Sequence, residues 1–250
     1  MKILLELAYI GTGFAGFQVQ PGKITVQSAL QDAIEATYGQ RYPVKGCSRT
    51  DAGVHALQYF AAFDTDKAIP AERIPFALNS RLDPRISVKS ARIVPDDFHV
   101  RHDVLWKEYE YVIRNSLIPD PFMLGRCARP PRIIDDVGFS RMEAACPHFV
   151  GRHDFAGFMS AGATIADTTR EIFALSVIRD GEYIRIRVSA DGFLYNMVRI
   201  IAGTLMDTAN GRFEPDEMPA IIASCDRGRA GFTAPPEGLY LRRVELNENV

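Results

Sequence analysis

With 250 residues, 47% of them hydrophobic, and a net charge of −2, the chain has material for one large domain or two small ones and is no polycation. No apolar run approaches the roughly 20 residues of a membrane-spanning helix, and Glu6 interrupts the short apolar start, unlike a secretory leader. The four cysteines (Cys47, Cys127, Cys146, Cys225) form no CxxC and take no zinc-finger spacing with a histidine, so we expect reduced thiols, a cytoplasmic protein and no metal site.

In chain order, residues 3–10 alternate, with Ile3, Leu5, Leu7 and Tyr9 on one face, and predict a strand. Val26, Leu30, Ala33 and Ile34 fall at helical spacing and predict an amphipathic helix over Thr25–Thr37. Short strands are expected near 42–48 and 57–64, then a helix over 71–81 with Ile74, Ala77 and Leu78 buried, then a strand over 87–94. The first half thus reads β-α-β-β-α-β. The second half repeats the order: a strand over Glu108–Arg114, a helix over Asp136–Phe149, strands over Ile172–Ile178 and Glu182–Ala190, a helix over Gly192–Ala209, and a last strand over Leu239–Leu246. Asp180-Gly181 marks a tight hairpin between the paired strands. Residues 151–170, rich in Gly, Ala and Thr, read as a loop that either rims the active site or is simply mobile. The expected fold is α+β: two pseudo-repeated split β-α-β halves, 1–105 and 106–250, with antiparallel sheets backed by helices and a central cleft.

Gly11-Thr12-Gly13-Phe14-Ala15-Gly16 matches the dinucleotide fingerprint after a strand, but Phe17-Gln18-Val19-Gln20-Pro21-Gly22 intervenes and the helix starts only near Thr25. Its glycines therefore predict a flexible loop that carries Phe14, Phe17 and Gln18 for stacking or hydrogen bonding to nucleotides. The run Gly46-Cys47-Ser48-Arg49-Thr50-Asp51-Ala52-Gly53-Val54-His55-Ala56 sets one carboxylate two residues from one guanidinium among small residues. On spacing alone this could be a turn with a local Arg–Asp pair. Three arginine groups (Arg126, Arg129, Arg132 and Arg141; Arg179, Arg185 and Arg187; Arg227, Arg229, Arg242 and Arg243) are solvated faces singly and together favour a polyanion partner.

Several motifs in register make the chain resemble the tRNA pseudouridine synthases that modify positions 38, 39 and 40 of the anticodon stem-loop. They are Ser48 to Ala56, Phe98-His99-Val100-Arg101, Lys107-Glu108-Tyr109-Glu110-Tyr111, Gly151-Arg152-His153-Asp154-Phe155, Arg170-Glu171-Ile172, Phe193 to Gly203 and Ala234-Pro235-Pro236-Glu237-Gly238-Leu239. The chain departs from the family at Gly16-Phe17-Gln18, where a tryptophan is usual, and over 163–169. The resemblance implies an isomerase without cofactor or metal, acting on tRNA as a homodimer.

It makes Asp51 the carboxylate of the reaction; attack at C1′, attack at C6 and stabilisation of a charged or glycal-like species all stay open to it. Arg199 is the implied partner of Asp51, set against a plain arginine reaching solvent. Arg49 either braces the loop or fills the gap left by the extruded uridine. Tyr109 is the implied base contact, while Tyr111 reads as core, and Leu239 is a pocket wall or a core leucine. Phe17, Gln18, Arg126, Arg129 and Arg132 are the expected RNA contacts. The competing reading is a non-catalytic RNA-binding module, which would gain nothing from a carboxylate in its groove.

Overall fold

β1 (Lys2–Tyr9) is covered on both faces along its middle: Ile3, Leu4, Leu5 and Leu7 are each at most 1% exposed. Each such side chain contributes about 1.5–3 kcal/mol on burial. The strand pairs antiparallel with β3 (His55–Asp64) on one edge and β4 (Ile86–Val94) on the other. The computed structural model describes residues 1–162 and 165–247, which divide into two compact units. The first comprises Met1–Leu105 and the described residues from Tyr240 onward; the second is Trp106–Leu239.

In the first unit, β2 (Lys45–Gly46) adds to β3 at Ala62 and Ala61. β9 (Leu239–Leu246) joins β3 in parallel through His55 opposite Tyr240 and Ala56 opposite Leu241. α1 (Val26–Tyr38) begins in a capping box: the Ser28 amide donates to Thr25 Oγ1 (3.1 Å) and the Thr25 amide to Ser28 Oγ (3.0 Å). It ends where Gly39 turns left-handed. The helix expected over 71–81 is instead a 3-10 turn, Ala71–Arg73, followed by α2 (Ile74–Asn79). Pro75 has no amide to donate to Ala71, so one continuous α-helix cannot form there. Ile74 and Leu78 are buried and Ala77 only half-buried.

The second unit is built on β5 (Val104–Arg114), β8 (Tyr183–Ala190), β7 (Thr169–Asp180) and β6 (Gly151–Asp154), each antiparallel to its neighbour. Asp180 pairs with Tyr183 around a left-handed Gly181, as the hairpin signal predicts. α3 (Asp136–Ala145) packs on α4 (Met197–Ala209), and α5 (Met218–Ala223) follows. α3 stops before Phe149 because Pro147 turns the chain into a 3-10 segment, Cys146–Phe149. α4 starts at Met197 rather than Gly192, because Asn196 is left-handed (φ 62°) and cannot continue a helix. The stretch 151–170 contains β6, so it is not one loop; Ala163 and Thr164 lie outside the described residues. Both units are helix-backed antiparallel sheets, an α+β fold, with β3–β9 the parallel exception. No helix among the described residues is long and apolar enough to cross a membrane.

One polar group lies on the face of β5 opposite Tyr109 and Tyr111. Glu110 is 5% exposed and accepts from Arg187 Nε (2.7 Å) and Arg185 Nη1 (3.0 Å) of β8. Arg179 is held by Asp136 and the Asp135 carbonyl. The second arginine group is thus spent on structure. Glu110→Gln removes the charge facing two guanidiniums and is expected to cost about 2 kcal/mol, discounted because both arginines are partly exposed. Thermal denaturation should show a midpoint lower by about 4–8 °C.

Candidate active site

The loop that carries Asp51 is built on the loop before it. Phe17 N–H donates to the Thr50 carbonyl (3.1 Å), Gly53 N–H to the Phe14 carbonyl (3.3 Å), and Gly11 N–H to His55 Nδ1 (3.0 Å). His55 therefore carries its ring proton on Nε2; it is buried and stacked on Tyr240 with centroids 4.5 Å apart. Tyr9 Oη and Thr50 Oγ1 are 2.8 Å apart, and Tyr59 Oη donates to the Ser48 carbonyl. A Cβ on Gly16 would lie 2.6 Å from the Thr50 carbonyl oxygen, in a backbone with φ +88°, and one on Gly11 would collide with the Val54 carbonyl. Inside the loop, Val54 N–H closes a turn on the Asp51 carbonyl (3.1 Å).

The glycine fingerprint is therefore a packing surface. The amides at the start of α1 that a pyrophosphate would need are taken: Val26 N–H donates to the Gly16 carbonyl (3.2 Å) and Gln27 N–H to the Phe17 carbonyl (2.9 Å). Phe14 and Phe17 are buried, which corrects the expectation of a flexible loop offering aromatic rings. Phe17 stacks on Tyr59 at 4.4 Å and supports the Asp51 loop from below, while Gln18 stays exposed. Arg85 braces the far side of the glycine loop, donating to the Thr12 carbonyl (2.8 Å) and lying over the Phe14 ring. Hydrogen bonds from Arg85 hold the Asp83 carboxyl down to about 2, so the Arg85–Asp83 ion pair is complete above the ordinary carboxylate range and is lost as the pH falls through about 2.

Arg49 is exposed and Asp51 half-buried. Among the described residues, Arg49 has no hydrogen bond or ion pair, so the local Arg49–Asp51 pair that the spacing allows does not form.

In the second unit, Arg199 lies in the first turn of α4. Its Nε donates to the Ala234 carbonyl (2.7 Å) and its Nη1 to Asn196 Oδ1 (2.7 Å), while Ala234 N–H returns a bond to the Arg199 carbonyl (3.1 Å). The guanidinium is anchored rather than stretched to solvent. The same helix meets the 231–234 segment at glycines: Gly231 N–H donates to Thr204 Oγ1 (2.9 Å), and a Cβ on Gly203 would collide with the Phe232 carbonyl. Leu239, buried, follows the 3-10 turn Pro236–Gly238. Tyr109 is 6% exposed and meets the Phe193 ring edge-on at 5.0 Å. Tyr111 is core, as read from the sequence; its hydroxyl donates to the Pro235 carbonyl (2.8 Å), and burial pushes its pKa up.

Arg126, Arg129 and Arg132 are exposed on one stretch of chain, beside exposed Phe122 and Leu124. Arg141 is not part of that group, since it bonds the Thr208 and Phe213 carbonyls and Glu214. Arg227 holds Gly231 and Thr233, and Arg243 pairs with Glu245. The supporting roles of Tyr9, Tyr59, His55 and Gln27 were not assigned from the sequence, although Tyr9 lies in the alternating first strand and His55 in the Gly46–Ala56 run.

Comparison with known proteins first gives the class. A family model described as tRNA pseudouridine synthase matches residues 7–103 and 145–247, which include Asp51, Arg199 and Leu239 and omit Tyr109. The chain belongs to that family. It is 40% identical over 243 residues to the tRNA pseudouridine synthase A of Thermoanaerobacter sp. (strain X514), across 97% of this chain and 98% of that protein. It is 42% identical over 246 residues to the tRNA pseudouridine synthase A of Bacillus velezensis, across 98% of each. The solved structure "Crystal Structure of a Cbf5-Nop10-Gar1 Complex" aligns with 95% of this chain and 57% of that chain at 12% identity and a TM-score of 0.36, too low to mark a shared fold.

Gly16→Ala adds a methyl group against the Thr50 carbonyl and forces a positive φ on a residue with a Cβ. We expect a stability loss of about 1–3 kcal/mol by chemical denaturation, with turnover falling further than the folded fraction does.

Proposed function

We propose that the chain isomerises uridine to pseudouridine at positions 38, 39 and 40 of the tRNA anticodon stem-loop, acting in the cytoplasm as a homodimer. One observation carries this reading: the family match covers both Asp51 and Arg199, and Asp51 sits on a loop fixed by its backbone and not neutralised by Arg49. The reaction breaks N1–C1′, turns the uracil, joins C5 to C1′ and passes the C5 proton to solvent while N1 gains one. Atoms balance without an electron donor or acceptor.

Asp51 supplies the carboxylate that answers the charge developing when N1–C1′ breaks. Arg199 pairs with Asp51 and keeps it ionised against the cost of burial; its bonds to Ala234 and Asn196 fix its direction. Arg49, exposed on the same loop, enters the helical stack in place of the extruded uridine. Tyr109 stacks on the base and Leu239 closes the pocket beside it. Gln18, Arg126, Arg129 and Arg132 contact the RNA backbone, with Phe17 as their support.

On transcribed tRNA tritiated at uracil C5, the wild-type protein should release tritium and Asp51→Asn should release it slower by a factor on the order of 10³ or more. Binding without release by the wild type would instead support the RNA-binding module. Light scattering after size exclusion should give twice the chain mass; a monomer at working concentration would overturn the homodimer.

A further inference from the structure

The Phe98-His99-Val100-Arg101 motif has no role in the chemistry above, yet it forms one wall of a cleft beside the Asp51 loop. Phe98 and Val100 are buried and act as anchors. His99 and Arg101, between and after them, are exposed and line the cleft. The segment is held as a turn: Phe98 N–H donates to the Pro95 carbonyl (3.1 Å) and His102 N–H to the His99 carbonyl (2.9 Å). The opposite wall is β2 and its continuation, with Lys45, Gly46, Ser48 and Arg49. Gln27 secures the floor, donating to the Val44 carbonyl (2.6 Å) and accepting from Val19 N–H (2.7 Å).

The cleft measures about 230 Å³, below the roughly 300–1,000 Å³ of sites for drug-sized ligands. Lys45, Arg49, His99 and Arg101 line it, and no carboxylate does. Asp103, an acid beside the cleft, already accepts the His99 amide (2.7 Å). Among the described residues, the side chains of Lys45, Arg49 and Arg101 have no hydrogen-bond or ion-pair partner. Elsewhere Arg41, Arg85, Arg141, Arg179, Arg185, Arg187 and Arg212 are each matched to an acid. Like charges left together cost energy unless an anion joins them. His99 shows the same imbalance: loss of some hydration, then the His102 and Lys45 charges, hold it below the ordinary histidine range.

We propose that this cleft binds a backbone phosphate of the RNA substrate, next to the nucleotide that is turned out, with Lys45, His99 and Arg101 as its ligands. The inference rests on the tRNA reading above. It gives the phosphate a fixed seat at the base of the Asp51 loop, so that Arg49 acts on a strand already held on one side. Phosphate contacts of this kind set register rather than sequence preference.

The test measures the dissociation constant of an unmodified tRNA transcript against salt for the wild type, the double variant Lys45→Ala/Arg101→Ala, and Arg81→Ala. Arg81 is an exposed control whose side chain, among the described residues, bonds to the Ala77 carbonyl and Ser80 Oγ of its own turn. The double variant should bind about tenfold more weakly, with a salt slope shallower by about 1, while Arg81→Ala keeps the wild-type slope. His99→Gln should weaken binding in the same direction. A double variant with wild-type affinity and slope, or an equal fall in Arg81→Ala, would overturn the phosphate seat. Wild-type tritium release is measured alongside: its absence would sink the tRNA reading itself, whereas release combined with unchanged variant binding would sink the phosphate seat alone.

Discussion

The first unit depends on the close approach of two backbones, one at Gly11–Phe17 and the other at Gly46–His55. Two glycines, Gly11 and Gly16, let carbonyls of the second loop sit where side chains would otherwise be. Three amide donations then join the loops across more than thirty residues of sequence. Beneath them, the Phe17 ring lies on Tyr59, whose hydroxyl reaches back to Ser48. Asp51 rides on this stack of main-chain contacts. A carboxylate placed through the main chain is held in one position, as the proposed reaction requires of its charged group.

The second unit solves a similar problem with a helix. Gly203 and Gly231 bring α4 against the segment leading to Leu239, and Thr204 joins the two with its hydroxyl. Arg199 completes the junction by exchanging bonds with Ala234. In both units, then, glycine provides the approach and main-chain hydrogen bonds provide the direction. The residues proposed for chemistry ride on those junctions.

Much of this was legible in the sequence, and the exceptions have physical causes. Strands with clear alternation, such as β8 and β9, were readable because burial enforces the period. β6 was not, since Arg152, His153 and Asp154 show no alternation and the strand exists through its pairing with β7. The start of α4 was misplaced because Phe193-Leu194-Tyr195 continues the apolar pattern, while the break comes from the backbone of Asn196. Phe17 looked like a surface ring on a glycine-rich loop, and only tertiary packing could reveal it as the loop's foundation. The arginine groups misled in the other direction: counting charges cannot distinguish Arg185, matched to Glu110, from Arg101, matched to nothing among the described residues.

The amide bonds that join the glycine loop to the Asp51 loop also govern how the protein opens. Phe17 and Gly53 have their acceptors on the opposite loop, so neither amide is freed by local fraying. Both loops start or end on the paired strands β1 and β3. Their hydrogen exchange should therefore follow the slow opening of that sheet, not the fast exchange common in glycine-rich surface segments. A region that looks pliant in composition is thus coupled to the most buried strand of its unit, and the Asp51 loop is lost only when that sheet is.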